Sequence, residues 1–539
     1  MARAEPRRRR KLWGWGYEGE GFADTEVGEL GRAMRARFGV EPQTLAAPPA
    51  LASLTLPEPR LGAPAALGPL CTQDPRERAV HTLGKSYDDL VRGLRGDYRH
   101  APDVVAYPRD ERDVERILAW CAEGHAAAIP FGGGSSVVRG IEPDVGDGYA
   151  GTVSVDLRRL DRVLEVDRAS RTASIQGGIF GPALEEQLKP HGLTLRHFPQ
   201  SFAMSTLGGW IATRSGGHYA TLFTHIDEFV AGVRAITPRG RYETRRLPAS
   251  GAGPDPARLL IGSEGTLGVI TQAWMRLQDR PRFRASAPFE FARFEDAWGA
   301  ARALAQSGLW PANCRLLDHR EALLSAAGDG TRSLLIVTFE SGDHALDAWF
   351  ARAAELCRAF RGSSPVELAG TSTAADAAHR GAAGAWRNAF LAGGHRHDAF
   401  VRLGLVMETF ETAITWDRFP ALHAAVTAAT EAAVRRACGR GMVSCRFAYV
   451  YPDGPAPYYT VLGQGRAGAE LEQWAEIKAA ASEALLAAGG TITHHHAVGR
   501  YHRPWYDAKR PPLFAAAYRA ARRVLDPAGI MNPGVLVDG

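Results

Sequence analysis

Long hydrophobic runs are missing from this chain. No segment approaches the roughly eighteen consecutive apolar residues of a bilayer-spanning helix, and no charged, apolar, small-residue leader opens it. A soluble, cytoplasmic protein is the expectation. Cysteine is sparse: the six present lie far apart or, like Cys438 and Cys445, off metal-ligand spacing. This excludes a disulfide frame and leaves reduced core thiols. Outside one basic run near the start, charges of both signs are mixed with no recognisable nucleic-acid module, so nucleic acid is excluded as a partner. No internal repeat is visible. What remains is 539 residues, 45% hydrophobic and 23% charged, the composition of a globular protein with two or three domains.

Glycine, by contrast, is concentrated where a phosphate has to be held. Residues 126–138 read AAAIPFGGGSSVV, an apolar strand running into Gly132, Gly133, Gly134, Ser135 and Ser136. Glycines let the backbone take positive φ and approach a ligand, and converging N–H groups in such a turn suit a pyrophosphate. A second glycine-spaced segment, Gly262-Ser-Glu-Gly-Thr-Leu-Gly268, runs into a strand-like stretch. Neither fits GxGxxG or GxxxxGK[ST], which disfavours a Rossmann or nucleotide-triphosphatase reading.

The run Arg7-Arg8-Arg9-Arg10-Lys11 precedes Leu12-Trp13-Gly14-Trp15-Gly16-Tyr17. It reads as a frayed, solvated terminus, with peripheral contact to an anionic membrane as the alternative. Residues 40–75 read as an extended connector and 87–94 as a helix. From 104 the texture is α/β: a helix over 111–125 with Val114, Ile117, Leu118 and Cys121 on one face, strands over 152–156, 162–167 and 172–176, a helix over 182–191, and a hairpin of 230–237 with 241–246. Past 282 the pattern becomes helices (294–309, 345–360) and strands (333–339, 444–451, 458–463), an α+β unit with an antiparallel sheet. A helix over 514–525 and a turn close the chain.

Three polar clusters could carry chemistry. His494-His495-His496 could act as base or anion donor. A metal is disfavoured because no carboxylate or cysteine lies nearby at ligand spacing. In a strand the middle histidine would face away from the outer two. Tyr449, Tyr451, Tyr458 and Tyr459 flank a turn and would ordinarily be packing residues. Arg315 sits among apolar neighbours in a predicted strand, where an unpaired charge is costly; Arg396, His397 and Arg446 complete the third cluster.

The motifs IPFGGGSSV, FPQSFAMSTLGGWIATRSGG, LLIGSEGTLGVIT, THHHAVGR and LDPAGIMNPG, in this order, with KLWGWGYE and METFETAITWDR, make the chain similar to the alkyldihydroxyacetonephosphate (alkylglycerone-phosphate) synthases, flavoproteins of the vanillyl-alcohol oxidase type. The resemblance implies an α+β protein: an N-terminal helical segment and linker over 1–99, a two-subdomain FAD-binding module over 100–281, a cap with an antiparallel sheet over 282–480, and a return to the FAD module over 481–539. It implies that FAD is held by Pro130, Phe131, Gly132, Gly133, Gly134, Ser135 and Ser136 around the pyrophosphate. Pro199, Gln200, Ser201, Phe202, Ala203, Met204 and Ser205 would follow, then Ala212, Thr213, Arg214 and Ser215, then Gly262, Ser263, Glu264, Gly265, Thr266, Leu267 and Gly268. The first loop has no histidine, so covalent attachment there is excluded, and FAD is expected to be non-covalent.

The family exchanges the acyl chain of acyl-dihydroxyacetone phosphate for a fatty alcohol, a redox-neutral step of ether-lipid synthesis. Tyr458, His494, His495, His496 and Arg315 match its catalytic positions. One position departs: the arginine expected directly before Asp398, which binds substrate phosphate, is His397 here, with Arg396 one residue earlier and expected to aim elsewhere. Phosphate affinity should then rise as pH falls from about 8 to 6, following imidazole's reference pKa near 6.5. The alternative activity is an FAD-linked oxidase or dehydrogenase of a hydroxy acid or alcohol; a flavin-free scaffold is disfavoured by the intact glycine loops. Lipid-like small molecules are the expected partners, and a homodimer is compatible with the sequence. No peroxisomal address is visible at either end.

Overall fold

Asp110 accepts a hydrogen bond from the backbone N–H of Asp113 and starts the helix Glu111–Glu123, an N-cap of the usual kind. This helix is the crossover between parallel strands Val104–Ala106 and Ala127–Phe131. Val114, Ile117, Leu118 and Cys121 are buried on its inner face, as expected. In the computed structural model, residues 8–43, 45–219, 221–365, 370–373 and 381–537 are described. Arg7 and the last two residues lie outside them.

Three principal sheets organise the chain. The first runs Cys71–Thr72, Val104–Ala106, Thr152–Asp156, Ala127–Phe131, the last three strands parallel. Met531 extends it by a parallel bridge to Ala128. The second is antiparallel, ordered Val163–Asp167, Thr172–Gln176, Val269–Arg276, Val230–Thr237, Gly240–Glu243. Helix Gly181–Leu188 packs on this sheet and stops short of the expected end. Pro190 cannot supply the next helical N–H, so Lys189–His191 tightens into a 3-10 turn closed by Gly192 at φ +73°.

The third sheet has six antiparallel strands, ordered Phe283–Phe291, Ser333–Ser341, Asn313–Leu317, Gly441–Val450, Pro455–Gly463, Val406–Glu411. Helices Phe294–Gln306, Asp347–Ala359, Phe419–Cys438 and Glu470–Ala487 cover one of its faces. Side chains alternate along each strand. Leu316, Cys445, Phe447 and Tyr459 therefore enter these helix-covered cores, while Arg315, Arg446 and Tyr458 point to the opposite face. All six cysteines are free, five of them buried. Among the described residues no helix is long and apolar enough to cross a membrane.

The basic opening is not a frayed tail. Arg10 is only 8% exposed, and the Trp13 indole is buried, its Nε1 donating to the Leu90 carbonyl at 2.7 Å. Arg8 pairs with Glu20 and lies over the Tyr17 ring. Arg8 stays at the surface, while Arg10 and Trp13 are spent inside the molecule, which removes those two as membrane contacts.

Candidate active site

The first and third sheets, with the loops between them, enclose a cavity of about 310 Å³. The glycine loop lines it on one side and, on the other, the face of the six-stranded sheet opposite those four helices, part of which is covered by Ala322 and Trp386. Gly134 has φ +75°. Gly132 and Gly133 are glycines for another reason: a Cβ on Gly133 would lie 1.6 Å from the Met204 carbonyl oxygen, and one on Gly132 2.3 Å from Thr206 Oγ1. The loop is thus pressed against the 199–205 segment, and glycine is what permits it.

Gly133 and Gly134 are buried. Among the described residues the backbone N–H groups of Gly133, Gly134, Ser135 and Ser136 donate to no protein acceptor. Buried backbone donors are almost always paired, so a row of unspent N–H groups facing a cavity fits a phosphate-bearing cofactor. Ser136 Oγ accepts from Val138 and Gly140 N–H at 3.3 and 3.0 Å and holds the far end of the loop. Pro199, Gln200, Ser201, Ser205, Ala212, Thr213, Ser215, Glu264, Gly265 and Gly268 also line the cavity. Glu264 accepts from Val498 and Gly499 N–H, and burial pushes its carboxyl up to about 7. Through it the C-terminal segment is fastened to the cofactor loops.

Eight of the expected cofactor residues turn away from the cavity. Phe202 stacks on Trp210, the Ala203 carbonyl accepts from the Tyr17 hydroxyl, and the Met204 sulfur receives the Gly16 N–H. Arg214, at φ 51°, swings outward to Asp227. Gly262 serves a turn at φ +81°. Ser263 and Leu267 are buried at 1% and 0% exposure, and Thr266 Oγ1 meets the Tyr518 hydroxyl. These residues shape the walls from behind.

The histidine triplet is a turn, and the strand-like alternation does not occur. Glu411, at the end of Val406–Glu411, accepts the backbone N–H groups of His494, His495 and His496 together with the Thr493 hydroxyl. Burial pushes its carboxyl up, but the His496 and His494 rings and these donors hold it below the usual carboxylate range. The turn sends His495 and His496 into the cavity. His494 turns aside, its Nε2 2.9 Å from the Tyr451 hydroxyl and its Nδ1 3.1 Å from His495 Nδ1. Burial keeps all three imidazoles below their ordinary pKa. A carboxylate does stand beside them, contrary to the reading of the local segment, and Glu411, His495 and His496 lie close enough to share an ion. Both Glu411 oxygens are already taken by the triplet backbone.

Tyr458 faces the cavity beneath Arg446, whose guanidinium carbon lies 3.6 Å from the ring centroid and whose Nη1 donates to Glu321 at 2.6 Å. Burial raises the phenol's pKa, and Arg446 works against the rise. Arg315 is 2% exposed. It donates to the His218 carbonyl at 2.8 Å, and among the described residues no carboxylate pairs with it. Burial lowers its pKa to about 10, still a cation at neutral pH.

Helix Gly393–Arg402 lays both Arg396 and His397 along the cavity. Arg396 was expected to aim elsewhere, but the cavity wraps the helix far enough to touch successive positions. Arg396 donates to the Leu324 carbonyl. His397 Nε2 is buried without a partner, and burial lowers the imidazole to about 4. The free protein therefore carries this imidazole neutral across pH 6–8, so His397 itself does not supply the expected rise in phosphate affinity; the carboxyls of Glu264 and Asp398, each pushed up to about 7 by burial, titrate in that range.

Glu411, Glu321 and the cavity-lining Trp15, Trp386 and Asn532 were not singled out from sequence. Only Glu411 carried a signal, an acidic residue closing an apolar strand inside METFE.

Residues 102–245 match an FAD binding domain, and residues 280–536 match the FAD linked oxidases, C-terminal domain. Fold and cavity define an FAD-dependent flavoenzyme of the vanillyl-alcohol oxidase type. The chain is 30% identical over 477 residues to the alkyldihydroxyacetonephosphate synthase of Dictyostelium discoideum, covering 85% of this chain and 77% of that protein. It therefore belongs to the alkyldihydroxyacetonephosphate synthase family. A solved structure of an alkyldihydroxyacetonephosphate synthase superposes with a TM-score of 0.80 at 25% identity over 97% of this chain and 98% of that one. The glycolate oxidase subunit GlcD of Bacillus subtilis is 24% identical over 447 residues, 81% of this chain and 89% of that protein.

Proposed function

We propose that the protein exchanges the acyl chain of acyl-dihydroxyacetone phosphate for a fatty alcohol, forming an ether bond without net oxidation. The observation that supports this most is the meeting of Tyr458, His495, His496 and Arg315 in one cavity with the cofactor loops. The reading takes residues 100–281 and 481–539 as the cofactor module and 282–480 as the cap. FAD would be held non-covalently, its pyrophosphate on Gly133–Ser136 N–H, and would supply an electrophilic ring at which the substrate carbon reacts.

The chain's own groups divide the remaining work. Neutral His495 takes the carbon-bound proton at the ring nitrogen that His494 leaves free. The Nδ1–Nδ1 contact couples its tautomer to His494 and, through that ring, to the Tyr451 hydroxyl. Tyr458 gives a proton to the departing carboxylate. Arg315, with no carboxylate of its own, pairs with the substrate anion. Apolar Leu324, Phe390, Phe400 and Met407 along the same cavity suit an alkyl chain.

Anaerobic incubation with acyl-dihydroxyacetone phosphate and a labelled fatty alcohol tests the reading. Labelled ether product, one fatty acid released per ether, and flavin oxidised at the end are expected. Persistent bleaching by a small hydroxy acid, reversed by an electron acceptor, with no ether formed, would replace it with an oxidoreductase reading.

A further inference from the structure

The opening segment does more than cover the molecule. Arg10 Nη2 donates to the Gly132 carbonyl at 2.6 Å, and its Nη1 donates to Asp156 at 3.0 Å. Its guanidinium carbon lies 4.9 Å from the centroid of Phe131. Asp156 is fully buried and also meets His81 Nε2 at 2.9 Å and Arg158 at 2.7 Å. The segment itself is held in place: Arg76 donates to the Arg10 carbonyl at 2.7 Å, and Arg10 bridges to Tyr17.

The peptide bond is planar and trans, so its carbonyl and the next residue's N–H point to opposite sides. A guanidinium that holds the Gly132 carbonyl from behind the loop aims the Gly133 N–H forward. Gly133 is one of the residues whose N–H groups find no protein acceptor among the described residues. A glycine triplet is the stretch of backbone least able to hold its own orientation. We propose that Arg10 is a positioning residue for the cofactor pyrophosphate: it sets the peptide plane of the glycine loop from 122 residues away in sequence. Arg158 meets the same Asp156 carboxylate and also pairs with Glu77 at 3.9 Å, so the anchor behind the loop is a network of ion pairs. This rests on the reading that the loop holds the pyrophosphate of FAD.

The experiment compares flavins with and without phosphate. Holoenzyme is stripped of FAD, and rebinding of FAD and of riboflavin is followed by flavin fluorescence for the wild type, Arg10→Met, Arg10→Gln and Arg10→Lys. Arg10→Met is expected to weaken FAD about tenfold or more, the scale of a lost charge-assisted bond, while riboflavin affinity stays within about twofold. Arg10→Lys should recover part of the loss, having the charge but one point of donation. Arg10→Gln, which keeps the stem and a neutral donor, gives the comparison should the Met variant not fold. Loss of FAD and riboflavin affinity in parallel, or no loss of either, would overturn the role of Arg10. A wild type that binds riboflavin as tightly as FAD would instead overturn the pyrophosphate reading itself.

Discussion

Arg446 and Tyr458 are cross-strand partners in the six-stranded sheet, and the guanidinium carbon lies over the phenol ring, 3.6 Å from its centroid. A cation there favours the phenolate, so Arg446 lowers a pKa that burial has raised. Arg446→Met should make Tyr458 a weaker acid, move the alkaline limb of kcat to higher pH, and lower kcat about a hundredfold, the usual weight of general acid catalysis. Arg446→Lys should recover part of it. A pH profile of kcat with flavin content measured alongside checks this; an unmoved alkaline limb would remove Tyr458 as the proton donor.

Glu411 receives four donors on two oxygens. Glutamine would turn an NH2 toward at least one of them, leaving like polarity face to face. Glu411→Gln should therefore cost turnover about a hundredfold if the histidines it orients react as proposed, while the flavin band at about 450 nm characteristic of bound FAD persists. Chelators should leave wild-type turnover unchanged. Activity that dies with chelation and returns with zinc would mean that Glu411, His495 and His496 hold a metal.

His397 is neutral in the free protein near pH 7, with its pKa lowered to about 4 by burial and by His496. Affinity for a phosphonate analogue of the substrate should accordingly follow the same pH profile in wild type and His397→Gln between about pH 6 and 8, because imidazole charge enters only near the lowered pKa. His397→Arg should tighten binding by supplying a permanent fork. Titration of the analogue by flavin spectral change checks both, and a steep rise toward pH 6 that vanishes in His397→Gln would show a protonated imidazole at work.

His423 lies away from the cavity, stacked on Phe419 and near the Tyr459 hydroxyl. Burial lowers its pKa to about 4, against about 6.5 in an unfolded chain. The folded state prefers the neutral ring, so its stabilisation is complete above pH 6.5 and is lost as pH falls toward 4. The group should contribute up to ~3 kcal/mol of acid sensitivity over that window. Denaturant melts of wild type and His423→Gln at several pH values should therefore converge toward pH 4; parallel curves would remove the group from the acid response.

What could be read in advance was local. The apolar spacing of 114, 117, 118 and 121 marked its helix, which formed with those side chains buried. Helices Phe419–Cys438 and Glu470–Ala487 were not foreseen, because a surface of alanine hardly distinguishes a buried stripe from an exposed one. The histidine turn was misread for a different reason. Its geometry belongs to a carboxylate 83 residues upstream of His494, and no local periodicity reports such a partner. Arg10 followed the same logic. A run of arginines looks solvated until Asp156, 146 residues on, is placed beside it.

The last turn of the chain has a consequence for how the protein is made. Ile530 and Met531 fill the core under the first sheet, and Val535, Leu536 and Val537 fill that under the second. The Ala128 strand pairs early with Thr152–Asp156 but waits for its bridge to Met531 until that distant segment has been made. At ordinary synthesis rates the roughly 250 residues between the last strand of the second sheet and this closing segment take about 10–50 s to appear. During that interval the cofactor half exposes apolar surface that its own sequence cannot yet cover. Residues 530–537 thus complete the cores of the cofactor half only after its own strands have been made.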